Sequence, residues 1–209
     1  MSQASKELIP WAEQAIRERL KGGRLAHSFS VAETAVSLAS TYDEDQDDAR
    51  LAGLLHDWDK QLSDAELLAR VADLGLELPQ EVLDMPILLH GPTAAAALRR
   101  EFPQIPERVL SAIHLHTVAS VEMSPLDMII YVADKIEPKR SSRDAQFIRD
   151  EVGQVSLREL FIDAYGSSII HLVKRHRYIY PGALDVWNPL VTEYRKSPAY
   201  LEQAQERAK

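Results

Sequence analysis

The stretch AGLLHDWDK, residues 52–60, decides how the chain folds. Leu51, Ala52, Gly53, Leu54 and Leu55 read as an apolar helix that runs straight into His56-Asp57-Trp58-Asp59-Lys60. A histidine, two aspartates and a lysine are costly to bury without partners. Either the helix surfaces into solvent here, or something in the interior compensates its charged end.

Working outward, the helical period recurs and strand-like alternation is absent, so the fold class expected is all-α. Residues 4–21 are amphipathic and stop at Gly22-Gly23. Further helices are expected over about 25–42 and 46–57, and one opens on the capping box Ser63-x-x-Glu66. The pattern continues with 79–90, 92–102, 106–118 and a helix beginning at Ser124-Pro125, where serine caps and proline takes the first turn. Pro138 stops that helix, and three more are expected over about 142–152, 156–178 and 184–205. With no repeat or linker-like stretch, residues 1–209 read as one domain, with a helical extension over about 155–209.

The 209 residues, 45% of them apolar, suffice for a buried core. No apolar run approaches the ~20 residues that span a bilayer. MSQASKELIPWAEQ lacks the layout of a secretory leader, so a cytoplasmic location is expected. There are no cysteines, so any metal must be held by His, Asp or Glu. A net charge of −8 argues against nucleic acid as partner, while leaving room for a small anion at a locally basic site.

Four of the seven histidines fall where an apolar helix face calls for a hydrophobe. His27 lies one turn before Val31, and His56 is in register with Ala49, Ala52 and Gly53. His90 is read as continuing Leu83 and Ile87, and His116 as continuing Val109 and Ile113. Asp134 sits in the apolar run IIYVAD, while His114, two residues from His116, points elsewhere around its helix. A lone inward histidine is most often a satisfied core residue. Four of them with inward Asp57 and Asp134 fit a shared divalent cation, whose natural ligands are neutral imidazoles and carboxylates.

The ordered set His27, His56-Asp57 and Asp134 resembles the H…HD…D pattern of HD-domain phosphohydrolases. The match is nearer to one branch, the YqeK family of symmetrical bis(5′-nucleosyl)-tetraphosphatases. RLAHSFSVAETAVSLA, ARLAGLLHDWDK, LLHGPTAAAAL, VLSAIHLHT and SPLDMIIYVADKIEPKR carry it, across about residues 24–140; LLHGP and ADKIEPKR are its more specific parts. The resemblance implies an HD-domain helical bundle with additional C-terminal helices. It also implies a metal site that usually holds iron, and hydrolysis of diadenosine tetraphosphate to two ADP. Carried over by position, His27, His56, Asp57 and Asp134 are primary metal ligands, and His90 and His116 line the site and can hold a second metal. Arg24, Lys60 and Arg140 are the phosphate contacts.

On this reading a metal lowers the pKa of bound water toward ~7, and Asp57 can bridge two cations. Lys60 or a metal-held water protonates the leaving oxygen. Manganese, nickel, cobalt and zinc suit the same ligands. The chain departs from the family at Thr117-Val118-Ala119, where a Thr-Thr-Gly turn is expected. It departs again at Tyr180-Pro181, where a histidine precedes the proline, and at Lys139, which replaces glycine. Asp59 is left between a site role and solvent, and Asp127 between solvent and orienting a histidine. Rival readings are an HD hydrolase for a nucleoside monophosphate or cyclic nucleotide, a silent nucleotide or metal sensor, and a purely structural helical protein. A homodimer is left open.

Overall fold

The computed structural model describes residues 3–196 and Tyr200, and among these every regular element is a helix. Helix α1 (Gln3–Arg19) precedes α2 (Gly22–Thr41) and α3 (Gln46–Leu55). Then come α4 (Asp64–Asp73), the single turn α5 (Gln80–Leu83), α6 (His90–Glu101), α7 (Glu107–Val118) and α8 (Pro125–Ile136). Helices α9 (Arg143–Glu151), α10 (Leu157–Lys174) and α11 (Gly182–Tyr194) follow. The starts of α4, α8 and α10 are fixed by capping boxes on Ser63, Ser124 and Ser156. Each box satisfies two otherwise orphaned groups at a helix N-terminus.

Helix α8 is buried along almost its whole length and forms the centre of the bundle, with α2, α3, α7 and α10 packed around it. Its Tyr131 meets Phe161 and Tyr165 of α10 edge-on and tilted, and Tyr165 stacks with Trp187 of α11. The C-terminal helices thereby contribute Leu160, Phe161, Ala164 and Leu190 to the same core as α1–α8.

Two glycines set the closest crossings. A Cβ on Gly53 would lie 2.6 Å from the Ala32 Cα, so α3 meets α2 backbone to backbone. A Cβ on Gly91 would lie 2.8 Å from the His114 carbonyl oxygen, so α6 meets α7 in the same way. The first crossing lies near His27 and His56, the second near His90 and His116.

The helix expected over 79–90 is broken. Proline at position 86 has no N–H to donate and disfavours the helical region for Met85, which sits at φ −123°, ψ 74°. A 3-10 turn (Pro86–Leu88) replaces the helix, leaving Ile87 57% exposed. His90 therefore does not continue a face from Leu83 and Ile87; it opens α6. The expected helix 46–57 ends at Leu55, and residues 56–62 turn with Trp58, Lys60 and Leu62 N–H groups bonded three residues back. Helix α10 ends at Lys174 rather than 178, where His176 takes φ +52°. The last helix runs from Gly182 to Tyr194; the part of the expectation on 197–199 and 201–205 lies outside the described residues.

Two predictions concern the scaffold. Gly53→Ala should destabilise the protein by about 1–3 kcal/mol, read from urea unfolding, because a backbone-to-backbone contact cannot absorb a methyl group. At the α9–α10 junction, burial and the adjacent carboxyl of Asp163 push Glu151 up to about 7. A carboxyl raised in the folded state contributes stability below its ordinary pKa and loses it as pH rises through the folded value. Melting temperature should thus fall between pH 5 and 7.5 by more in the wild type than in Glu151→Gln; parallel curves would remove this pair as the cause.

Candidate metal centre

The six residues expected as ligands come from four helices and the turn that follows a fifth, and they meet at one point. His27 comes from α2, His56 and Asp57 from the turn after α3, His90 from the first position of α6, His116 from α7 and Asp134 from α8. Asp57 stands at the middle. Its Oδ2 lies 3.6 Å from His56 Nε2 and 3.9 Å from His27 Nε2. Its Oδ1 lies 3.3 Å from His90 Nε2 and 3.7 Å from His116 Nε2. Asp134 Oδ1 is 3.0 Å from His27 Nε2. His27, His56 and Asp57 form one group able to hold a metal ion, and Asp57, His90 and His116 form another.

Three of the imidazoles are oriented by the same local device. The Nδ1 atoms of His56, His90 and His116 each lie 2.7 Å from the carbonyl oxygen three residues earlier, on Gly53, Ile87 and Ile113. A carbonyl only accepts, so each Nδ1 carries the proton and each Nε2 is left with a lone pair toward the centre. His27 is oriented differently: its Nδ1 is 3.2 Å from Oε1 of Glu137, whose Oε2 accepts from Ser30 Oγ at 2.7 Å. Hydrogen bonds of this kind fix ring angle and raise ligand basicity.

A cation fits these donors. Buried His56 Nε2 has no hydrogen-bond partner, which is the situation of a ligand atom without its metal. Burial pushes His56 down to about 4, so the ring is neutral and ligand-competent at neutral pH. Burial likewise lowers His116. Burial would raise Asp57, but the His56, His116 and His90 rings around it and the Lys60 ammonium outweigh that and hold it well below the usual carboxylate range. Asp134 is held low in the same way, chiefly by His27 and Lys135 against the effect of burial. His27 moves up, because Asp134 and Asp57 outweigh its burial. The cluster is a divalent metal-binding site.

A cavity of about 500 Å³ opens over the cluster and is rimmed by cations. Arg24 reaches it while donating to the Lys60 carbonyl at 3.0 Å. Lys60 Nζ lies 3.2 Å from His90 Nε2, and burial lowers its pKa against the pull of Asp57 and Asp134. Arg140 binds Asp134 Oδ1 at 2.7 Å, and Lys135 and Lys139 complete the rim. His114, as expected, is not among the lining residues.

Sequence reasoning missed Glu137, which is buried and holds His27. It stands three residues after Asp134, at the position that caps the C-terminus of α8. The two undecided aspartates resolve otherwise than either reading of them. Asp59 is 0% exposed and clamped between Arg19, at 2.8 Å, and Arg70, at 2.7 Å. Arg19 also lies over the Trp58 ring, 4.4 Å from its centroid. Asp127 is buried as the capping-box partner of Ser124, accepting its N–H at 2.7 Å, and orients no histidine.

The HD domain model matches residues 24–139. A symmetrical bis(5′-nucleosyl)-tetraphosphatase of Staphylococcus aureus is 33% identical over 183 residues, covering 86% of this chain and 93% of that one. Its counterpart in Halalkalibacterium halodurans is 33% identical, covering 88% and 97%. This chain belongs to the HD-domain family, among the symmetrical bis(5′-nucleosyl)-tetraphosphatases. A crystal structure from Clostridium acetobutylicum superposes with a TM-score of 0.81 at 30% identity, covering 88% of this chain and 97% of the other. It is described as a predicted HD superfamily hydrolase involved in NAD metabolism.

Within this HD-domain chain the departure at Ala119 has a structural cost. Ala119 ends α7 at φ +56°, ψ 179°, a conformation suited to glycine. Beside it, Thr117 Oγ1 donates to the Leu88 carbonyl at 2.8 Å.

The Asp59 clamp gives the prediction for this site. Asp59→Ala leaves two guanidinium groups facing a buried void and should cost about 3 kcal/mol of stability. Chemical denaturation measures it; a loss below about 1 kcal/mol would mean the clamp is incidental to the turn.

Proposed function

We propose that the protein hydrolyses diadenosine tetraphosphate symmetrically, releasing two molecules of ADP. One observation carries this reading: a single carboxylate, Asp57, faces two histidine pairs with its two oxygens beneath a cationic rim. Membership of the tetraphosphatase group supports the substrate. His27, His56, Asp57 and Asp134 would hold one metal, and Asp57, His90 and His116 a second. Iron is the metal we assign, on the resemblance to the tetraphosphatase family; manganese, nickel, cobalt and zinc suit the same imidazoles and carboxylates. Bound there, a divalent metal supplies Lewis acidity toward a phosphoryl oxygen and a nucleophilic water near neutral pH.

The chain's own groups do the rest. Arg24, Lys60 and Arg140 bind and orient the polyphosphate, Arg through paired N–H groups and Lys as a compact charge. They also offset charge building on the phosphoryl oxygens during displacement. Water attacks a phosphorus beside the central bridging oxygen: a new O–P bond forms, the water's proton passes to solvent, and the bridge P–O bond breaks. The departing ADP oxygen takes a proton, and Lys60, half-buried and lowered in pKa, is the donor we assign. Glu137 keeps His27 turned to the centre.

With protein loaded anaerobically with Fe²⁺ or Mn²⁺, anion-exchange analysis should find ADP as the sole product, none from His56→Ala, and about 10²-fold slower turnover from Lys60→Ala. ATP plus AMP would sink the symmetrical reading, and turnover that survives exhaustive chelation would sink the metal.

A further inference from the structure

The two ligand groups that share Asp57 are unequal. The His27–His56 group faces two carboxylates, Asp57 through Oδ2 and Asp134 through Oδ1. Its His27 is backed by the Glu137 carboxylate at 3.2 Å, and a charged partner makes a ring a stronger donor than a neutral carbonyl does. Among the described residues, its His56 Nε2 has no hydrogen-bond partner. The His90–His116 group faces one carboxylate oxygen, Asp57 Oδ1, and both of its rings are backed by neutral carbonyls, of Ile87 and Ile113. It also has a resident cation. Lys60 Nζ stands 3.2 Å from His90 Nε2.

That contact and a metal compete for the same electrons. His90 carries its proton on Nδ1, bonded to the Ile87 carbonyl, so Nε2 has one lone pair and accepts from the Lys60 ammonium. A ring nitrogen cannot serve a donor and a metal with a single pair. Arg140 on Asp134 is no such block, because a carboxylate has lone pairs to spare. The neighbouring ring shows the same need for a cation. His116 Nε2, its proton likewise on Nδ1, lies 3.1 Å from His90 Nε2, and two inward lone pairs at that distance repel unless positive charge stands beside them. Lys60 supplies that charge. Its backbone is fixed, the N–H on the Asp57 carbonyl and the carbonyl on Arg24, both at 3.0 Å, so its flexible four-carbon stem is the part that can pivot.

The geometry points to the Lys60 ammonium and a divalent metal as alternative occupants of the His90–His116 position. The position on His27, His56, Asp57 and Asp134 therefore fills first. The second fills as Lys60 gives up His90 and turns to the phosphates in the same cavity. The assignment rests on the two-metal, polyphosphate reading of the site and deepens it, since it makes Lys60 the residue that sets the order of loading.

Counting bound metal tests this apart from turnover. Metal-free protein is titrated with Mn²⁺, the free ion being followed by its EPR signal and the filled pair by its spin-coupled spectrum. The wild type should take one equivalent tightly and a second about tenfold or more weakly. Lys60→Met, uncharged and of similar length, should tighten the second step about tenfold or more, the size of one released charge-assisted hydrogen bond, and move the first by less than about threefold. Lys60→Arg, which keeps the charge, should leave the second step weak. Lys60→Leu replaces the methionine variant if that one does not fold. Two equal steps in the wild type overturn the proposal, and so does a second step that a folded neutral variant leaves unchanged. Equal tightening of both steps overturns it too, since that is a charge acting at a distance rather than an occupied ligand. ADP release from diadenosine tetraphosphate by the wild type judges the hydrolytic reading by itself. Stepwise filling with no ADP leaves the exchange standing and the hydrolysis fallen; ADP with two equal steps does the reverse.

Discussion

Everything at the centre of this protein answers to the burial of one carboxylate. Asp57 is 5% exposed and surrounded by four imidazoles, with Lys60 one turn away. An isolated ionised carboxylate in such a place would protonate or be expelled. The rings around it and the Lys60 ammonium hold it ionised, and the ring nitrogens that face its two oxygens are electron-pair donors. The same arrangement that neutralises the carboxylate thus prepares a cradle for cations. Stability and chemistry make opposite demands on the rings, protonated for one and bare for the other. The three carbonyl contacts at Nδ1 decide the matter by fixing which nitrogen faces inward.

Bringing five helices to one carboxylate requires close crossings, and the chain meets this with small residues rather than large ones. Gly53 against Ala32 and Gly91 against α7 let backbones touch, which places short side chains such as Asp57 within reach of partners from other helices. Helix α8 then carries a ligand, one rim cation, Lys135, and the aromatic contact to α10. The C-terminal helices matter to the site through this contact, as walls of the space beside it.

The all-helical class and the gathering of His27, His56, Asp57, His90, His116 and Asp134 were legible in the sequence, because inward polar residues at helical spacing are conspicuous against leucine and alanine. His90 does reach the site, but not as the continuation of Leu83 and Ile87: Pro86 breaks that helix, and the ring arrives through a fresh helix start. Asp59, Asp127 and Glu137 were not legible. Their partners, Arg19, Arg70 and Ser30 among them, lie on other helices, except for the local capping of Asp127, which the Ser124-x-x-Asp127 spacing did announce. A carboxylate's role depends on which cation tertiary folding brings to it, and periodicity carries no trace of that.

The clamp on Asp59 has a bearing on motion. Loops that carry reactive groups are ordinarily the softest parts of a fold. Here the turn from His56 to Lys60 is held from one side by α1 and from the other by α4, and Trp58 is wedged under the Arg19 guanidinium. The floor of the cleft is therefore stiff before any ligand arrives. The facing wall is built otherwise: the 3-10 turn Pro86–Leu88 leaves Ile87 exposed, and Arg149 of α9 ties down the segment from Lys139 to Ser142 through the Glu137 and Arg140 carbonyls.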